Sequence, residues 1–353
     1  MNPDIFEKAI KAYSLEDADA ELIEKYKPVF IASGGEHLVY EIPEHPDIVL
    51  KVSKESIANC AGWQMKHTAD VDSYQYDRDV QVTIAHRIEE AQDVYREIKD
   101  FFPDSLLSQR YIKFKVPVTQ EFLLQVAKES GEELSKEQID RLPIELYVVA
   151  LVQEKSTELA LDTSVSMFNE GYAFDTVEPH ESWSSFLFRD EQQYTENGLL
   201  SEEKVPDEVE AVCQDFIERA LDYSNVTGRI LDIIGQNNII LYKDEQGMLS
   251  YSLIDAVYPE HEQQSLVQFK KFVESCVASD IPCPESIMKK NISLVINTVD
   301  YICKINREAG QHHIGARIDL FSKFTDAERQ KALSVVLQVI ELWRSGRKSL
   351  GQV

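Results

Sequence analysis

The chain has 353 residues, 43% hydrophobic and 9% aromatic, which is enough to bury a sizeable core and unlike a disordered composition. Its formal net charge of -26 argues against a nucleic-acid backbone or an anionic membrane as a whole-surface partner. Cys60, Cys213, Cys276, Cys283 and Cys303 lie far apart in the sequence with no CxxC pair. That odd count fits reduced thiols in a cytoplasmic environment better than a disulfide framework, and suggests no zinc site. The amino terminus is charged throughout and lacks the apolar core of a signal peptide, and no run approaches the roughly 18 apolar residues of a transmembrane segment. Secretion by a non-classical route, as of a bacterial effector, would leave no such mark.

In chain order, residues 1–27 read as a helix, with Ile5, Phe6, Ile10 and Tyr13 at helical spacing. From Phe30 the pattern changes to strands, FIASGGEHLVYEI and then IVLKVS, joined near Pro43 to Asp47, with Gly34 and Gly35 in a bend and Lys51 on the later strand. Lys51 alternates with Leu50 and Val52 and so points to the opposite face. It lines a cleft if those two face the core, or meets solvent if the strand is an edge. Residues 54–80 have no clear period and read as an insertion. A helix follows from Val82, with Ile84, Ile88, Ala91, Val94, Tyr95 and Ile98 on one face. RYIKFKVPV (110–118) predicts a strand, 119–142 an acidic and mostly helical excursion, and ELYVVALVQEK (145–155) a buried strand. Residues 156–205 mix aromatics, acids and turn residues without a legible period, and read either as a substrate-facing loop region or as a surface connection in which Trp183, Phe186 and Phe188 would form a local hydrophobic anchor.

The segment 206–228 is a strong amphipathic helix with Gly228 at its exit. Asp232 then opens a short loop, Asn237 follows five residues later, and NIILYKDEQGMLSYSLID reads as a hairpin turning over Asp244 to Gly247 and delivering Asp255. Asp and Asn are also ordinary turn and cap residues, so the triplet alone is compatible with plain loop chemistry. The remainder, 260–353, is helical, with Thr325 as a cap and His312–His313 in a turn. Lys289–Lys290 and Arg344 to Lys348 are small basic clusters on an acidic chain.

Taken together, the glycine-containing bend, the lysine strand, the helix tail YREIKDFFPDSLL, the apolar strand, the long helix, Asp232-x4-Asn237, the hairpin and Asp255 resemble the protein-kinase-like superfamily. The resemblance covers about residues 28–300. It implies an α+β, two-lobed protein-kinase-like fold. A helical extension over 1–27 would precede a small antiparallel-sheet N-lobe with insertions over 28–155, and a mostly helical C-lobe over 156–353 would include the hairpin region 229–259. It further implies that the backbone at Gly34 and Gly35 covers the phosphates of ATP, that Lys51 contacts them, and that Glu97, with Glu90 as the competing choice, aligns Lys51. By the same resemblance Gln153, Glu154 and Lys155 stand at the hinge whose backbone holds adenine. Asp232 would act on an acceptor hydroxyl, and Asn237 with Asp255 would coordinate Mg²⁺ or Mn²⁺.

Several positions depart from the family pattern. Aligning Val39–Tyr40 with its Val-Tyr pair puts Ala32, Gly34 and His37 at the three glycine positions, and only the middle one is kept. Ile230–Leu231 precede Asp232 in place of His-Arg or His-Gly, Ala256–Val257 follow Asp255 in place of Phe-Gly, and Asn238 beside Asn237 leaves that ligand open by one residue. Two functions follow: an ATP- and metal-dependent phosphotransferase acting on a protein, lipid or small-molecule hydroxyl, or an inactive pseudokinase serving as a nucleotide- or protein-binding scaffold. Nucleotidyl transfer with the same ligands is a third.

Overall fold

A computed structural model describes residues 28–33, 37–53, 73–117, 119–121, 123–124, 136, 145–155, 187, 207–233, 238–244, 246–254, 265–279 and 281–349. The expected helix over 1–27, Gly34 and Gly35, most of 119–142 and 156–205, Asn237 and Asp255 lie outside these residues. The chain is α+β and divides into two compact units, the first holding Met1–Glu97 with Leu107–Leu159 and the second Ile98–Leu106 with Ala160–Val353. Among the described residues, no helix is long and apolar enough to cross a membrane.

The first unit is built on an antiparallel sheet of β1 (Val29–Ser33), β2 (His37–Glu41), β3 (Ile48–Ser53), β4 (Gln109–Pro117) and β5 (Glu145–Glu154), in the order β1-β2-β3-β5-β4. β1 pairs with β2 through a bulge between Phe30 and Ala32. The turn from β2 to β3 closes with His45 N–H donating to the Ile42 carbonyl and Ile48 N–H to that of His45. β5 lies between β3 and β4, and Leu146, Val148, Ala150, Leu151 and Val152 are all buried, which is why its apolar run shows no alternation.

Helix α1 (Ser73–Phe101) joins β3 to β4 in sequence. It starts nine residues before the expected Val82, so SYQYDRD belongs to a helix and not to an aperiodic insertion. Ile84, Ile88, Ala91 and Tyr95, spaced by fours and threes, lay one stripe against the sheet's core. The Gln92 side chain accepts the Tyr111 N–H at 3.2 Å, fixing the helix against the start of β4.

The second unit contains α2 (Asp207–Thr227), the two-stranded β6 (Ile239–Lys243) and β7 (Leu249–Leu253), and the helices α3 (Leu266–Ala278), α4 (Glu285–Lys290), α5 (Ile292–Gln311) and α6 (Asp326–Ser349). Apolar residues of α5 recur so densely that Val295, Ile296, Val299, Ile302 and Ile305 are all buried, and α3, α4 and α6 each pack against it. Thr325 caps α6 as expected: its Oγ1 accepts the Glu328 N–H, while the Glu328 carboxylate accepts the Thr325 N–H and O–H, a capping box. Those bonds hold the Glu328 carboxyl below its ordinary range.

Candidate functional site

In the first unit the register puts Lys51 opposite Val39 on one side and Leu151 on the other. β3 is the central strand, so the edge-strand alternative for Lys51 does not hold. Leu50 and Val52 are fully buried, and Lys51, half-buried, occupies the other face by strand alternation. On α1 the two glutamate candidates separate. Glu90 sits on the exposed side, 3.5 Å from His86, whereas Glu97 is half-buried with its Oε1 out of reach of solvent. Of the two, Glu97 is the carboxylate placed for an internal role.

At the end of β5, where the resemblance implies a hinge, the backbone amides already have partners. Gln153 is buried, and its side-chain amide donates to the Gln109 carboxamide oxygen at 2.9 Å. Glu154 N–H donates to the Ser108 carbonyl, and Lys155 N–H to that of Asp47. Both amides are committed inside the first unit.

In the second unit the loop is set up by Gly228. Its φ of +70° ends α2, and a Cβ there would meet Val267 Cγ2 at 2.8 Å, so both the conformation and the close approach of α3 call for glycine. Its carbonyl accepts the Leu266 N–H at 2.8 Å. Ile230, Leu231 and Ile233 then plug into the core, and Asp232 between them is half-buried. Asn238, itself buried, donates its side-chain amide to the Asp232 carbonyl at 3.2 Å and accepts the Ile254 N–H on its own carbonyl at 2.9 Å. One residue thus knots the loop to both strands of the hairpin. Asn237 and Asp255 are the sequence neighbours of the two knotted residues.

The hairpin has the expected turn. Asp244 Oδ1 accepts the Gln246 and Met248 N–H groups, and Gly247 takes φ +79°. Its β7 strand is anchored by contacts the sequence did not announce. The Tyr251 hydroxyl donates to Asp215 Oδ2 at 2.8 Å, Arg219 Nε donates to the same oxygen at 2.8 Å, and Arg219 Nη1 donates to the Phe101 carbonyl at 3.0 Å. Leu253 N–H donates to the Ser105 carbonyl. Rings pack behind this clasp, Phe102 tilted against Phe216 and Phe216 edge-on to Tyr251. Burial, and then the bond to Asp215, push the Tyr251 phenol well above its ordinary value. Asp215 and Arg219 are four apart on a helix and could have been paired from sequence. Tyr251 as their third member could not.

Among the described residues, no group of three or more His, Cys, Asp or Glu side chains is placed to hold a metal ion. Magnesium held by one or two protein oxygens plus substrate phosphates needs no such group. His312 and His313 lie in a turn, as expected. No protein-family model and no curated protein sequence matches this chain.

Proposed function

We propose that the chain is an ATP- and divalent-metal-dependent phosphotransferase with a two-lobed fold of the protein-kinase-like kind. The observation that carries this reading is the Asn238 knot. It ties the carbonyl of Asp232 to the open end of the β6–β7 hairpin, next to Asn237 and Asp255 in sequence. Support also comes from the element order: a sheet with Lys51 on its central strand, a long helix carrying Glu97 between β3 and β4, buried β5, and α2 ending immediately before Asp232.

In this reading Lys51 holds the α- and β-phosphates, and Glu97 aligns it. Asp232 orients the acceptor hydroxyl and takes its proton. Asp255 and one of the two asparagines hold Mg²⁺ or Mn²⁺, which neutralises charge on the phosphates. Asn238 spends its N–H₂ group on the Asp232 carbonyl, leaving its carboxamide oxygen for a cation. The acceptor is a hydroxyl of a protein, lipid or small molecule.

A second reading, a kinase-like scaffold without catalysis, is favoured by one observation. Ile230 and Leu231, at the positions many relatives fill with His-Arg or His-Gly, are buried core residues here. Thermal unfolding with ATP, ADP and GTP, with and without Mg²⁺ or Mn²⁺, tests nucleotide use before any acceptor is known, because a ligand of the folded state raises its stability by mass action. Metal-dependent stabilisation by ATP that is lost in Lys51→Ala and Asp255→Ala is the expected result. Asn237→Ala and Asn238→Ala assign the remaining ligand. No shift with any nucleotide counts against both nucleotide-binding readings.

A further inference from the structure

The cysteines were expected to be scattered, and the fold brings two of them together: Cys276 in the last turn of α3 and Cys283 just before α4 lie with their sulfur atoms 2.8 Å apart, the Cys276 S–H donating to Cys283. Both are free thiols and half-buried, and they sit among exposed neighbours: Ala278, Ser279, Ile281, Pro282 and Pro284. Neither a structural disulfide nor a metal accounts for the contact, since the sulfurs are about 0.8 Å beyond covalent distance and no third ligand joins them among the described residues. Cys213 and Cys303, by contrast, are buried.

We propose that Cys276 and Cys283 form a site of reversible oxidation, in which a peroxide converts the thiol pair to an intramolecular disulfide. Cys283 sulfur attacks the peroxide, forming an S–O bond as the O–O bond breaks, and the peroxide leaves as water or an alcohol carrying the thiol proton. Cys276 sulfur then attacks Cys283 sulfur. The S–S bond forms, the S–O bond breaks, and the hydroxyl departs as water with the Cys276 proton, so two thiols have lost two electrons and the peroxide has gained them. Burial, and then the neighbouring Cys283, hold the Cys276 thiol up at about 12. Because the Cys276 S–H is donated to the Cys283 sulfur, the first attack falls to Cys283. The product fastens the end of α3 to the start of α4, two helices that both pack on α5 and α6.

Both cysteines fall in one tryptic peptide, Phe272 to Lys289, which makes the test direct. The full-length protein is exposed to hydrogen peroxide, alkylated without reduction and digested. The expected result is that this peptide loses about 2 Da, resists alkylation and recovers on reduction. Cys283→Ser and Cys276→Ala each abolish the change, and Cys213→Ser leaves it intact. Oxidation should also raise the wild-type Tm by roughly 2–6 °C, as closing a short loop predicts, and leave Cys283→Ser unmoved. Full alkylation of both cysteines after peroxide, or direct conversion to sulfinic acid with no disulfide species, overturns the proposal.

Discussion

Two acid–base pairs with the same i,i+4 spacing do different work in this protein. Asp300 and Lys304 on α5 are 3.0 Å apart with side chains 0% and 2% exposed, while Asp215 and Arg219 on α2 are 2.8 Å apart with side chains about half and a third exposed. The first pair is sealed in the helical core beside Cys303, whose thiol burial holds well above its ordinary value. The second reaches outward to Tyr251 and the Phe101 carbonyl, and so fixes the β6–β7 hairpin. Sequence spacing brings the charges together. Burial decides whether they serve stability or position.

The comparison breaks most readily at the buried pair. Asp300→Ala or Lys304→Ala strands a charge in the core and should cost about 3–5 kcal/mol, whereas Arg219→Ala should cost only about 0–1 kcal/mol for its ion pair, with any excess coming from the Phe101 bond. Denaturant midpoints measure both, and equal losses would dissolve the distinction. The double change Asp300→Leu with Lys304→Met should recover most of the loss, because an apolar pair removes both charges.

Gly228→Ala comes next. Its positive φ and the contact with Val267 predict a loss of about 1–3 kcal/mol. The same denaturant series shows whether the loop's entry is as constrained as the buried core.

Tyr251→Phe sharpens the positioning half. Losing the bond to Asp215 should cost about 1–2 kcal/mol in stability. It should also weaken metal-dependent nucleotide binding if the clasp holds the hairpin in place, which calorimetry of binding would read. A stability loss with unchanged binding would make the clasp purely structural.

The smallest effect is a slope. Burial raises the Glu308 carboxyl above its ordinary value, partly offset by Arg307 and His312. A folded-state value above the unfolded one means stability that is present below the unfolded value and lost as pH rises through the folded value. Glu308→Gln should therefore flatten the fall in Tm as pH is raised from about 4.5 toward neutrality.

Much of this was legible in the sequence because the signals were local. The 3.6-residue period marked α2, the apolar run marked β5, and Asp244 to Gly247 marked the turn. The beginning of α1 was not legible, since SYQYDRD carries too few apolar residues to display a helical face before Ile84 sets it. Nor were the partners of the Glu154 and Lys155 amides legible, because Ser108 and Asp47 are far away in sequence. The Tyr251 clasp and the Cys276–Cys283 contact escaped for the same reason: tertiary proximity leaves no periodic trace. For the site, the sequence named Lys51, Glu97 and Asp232. It preferred Glu97 to Glu90 through the resemblance alone, without the difference in burial that separates them, and it could not foresee that Asn238 would knot the loop.

ADP formation from ATP, measured with Mg²⁺ and a panel of protein, lipid and small-molecule hydroxyl acceptors on wild type, Asp232→Asn and Asp255→Ala, bears most directly on the proposed activity. The expected result is metal-dependent turnover in wild type that falls by roughly 10²-fold or more in each variant, as loss of a positioned base or ligand requires. Turnover unchanged in Asp232→Asn, or none in wild type under conditions where ATP binds, would contradict it.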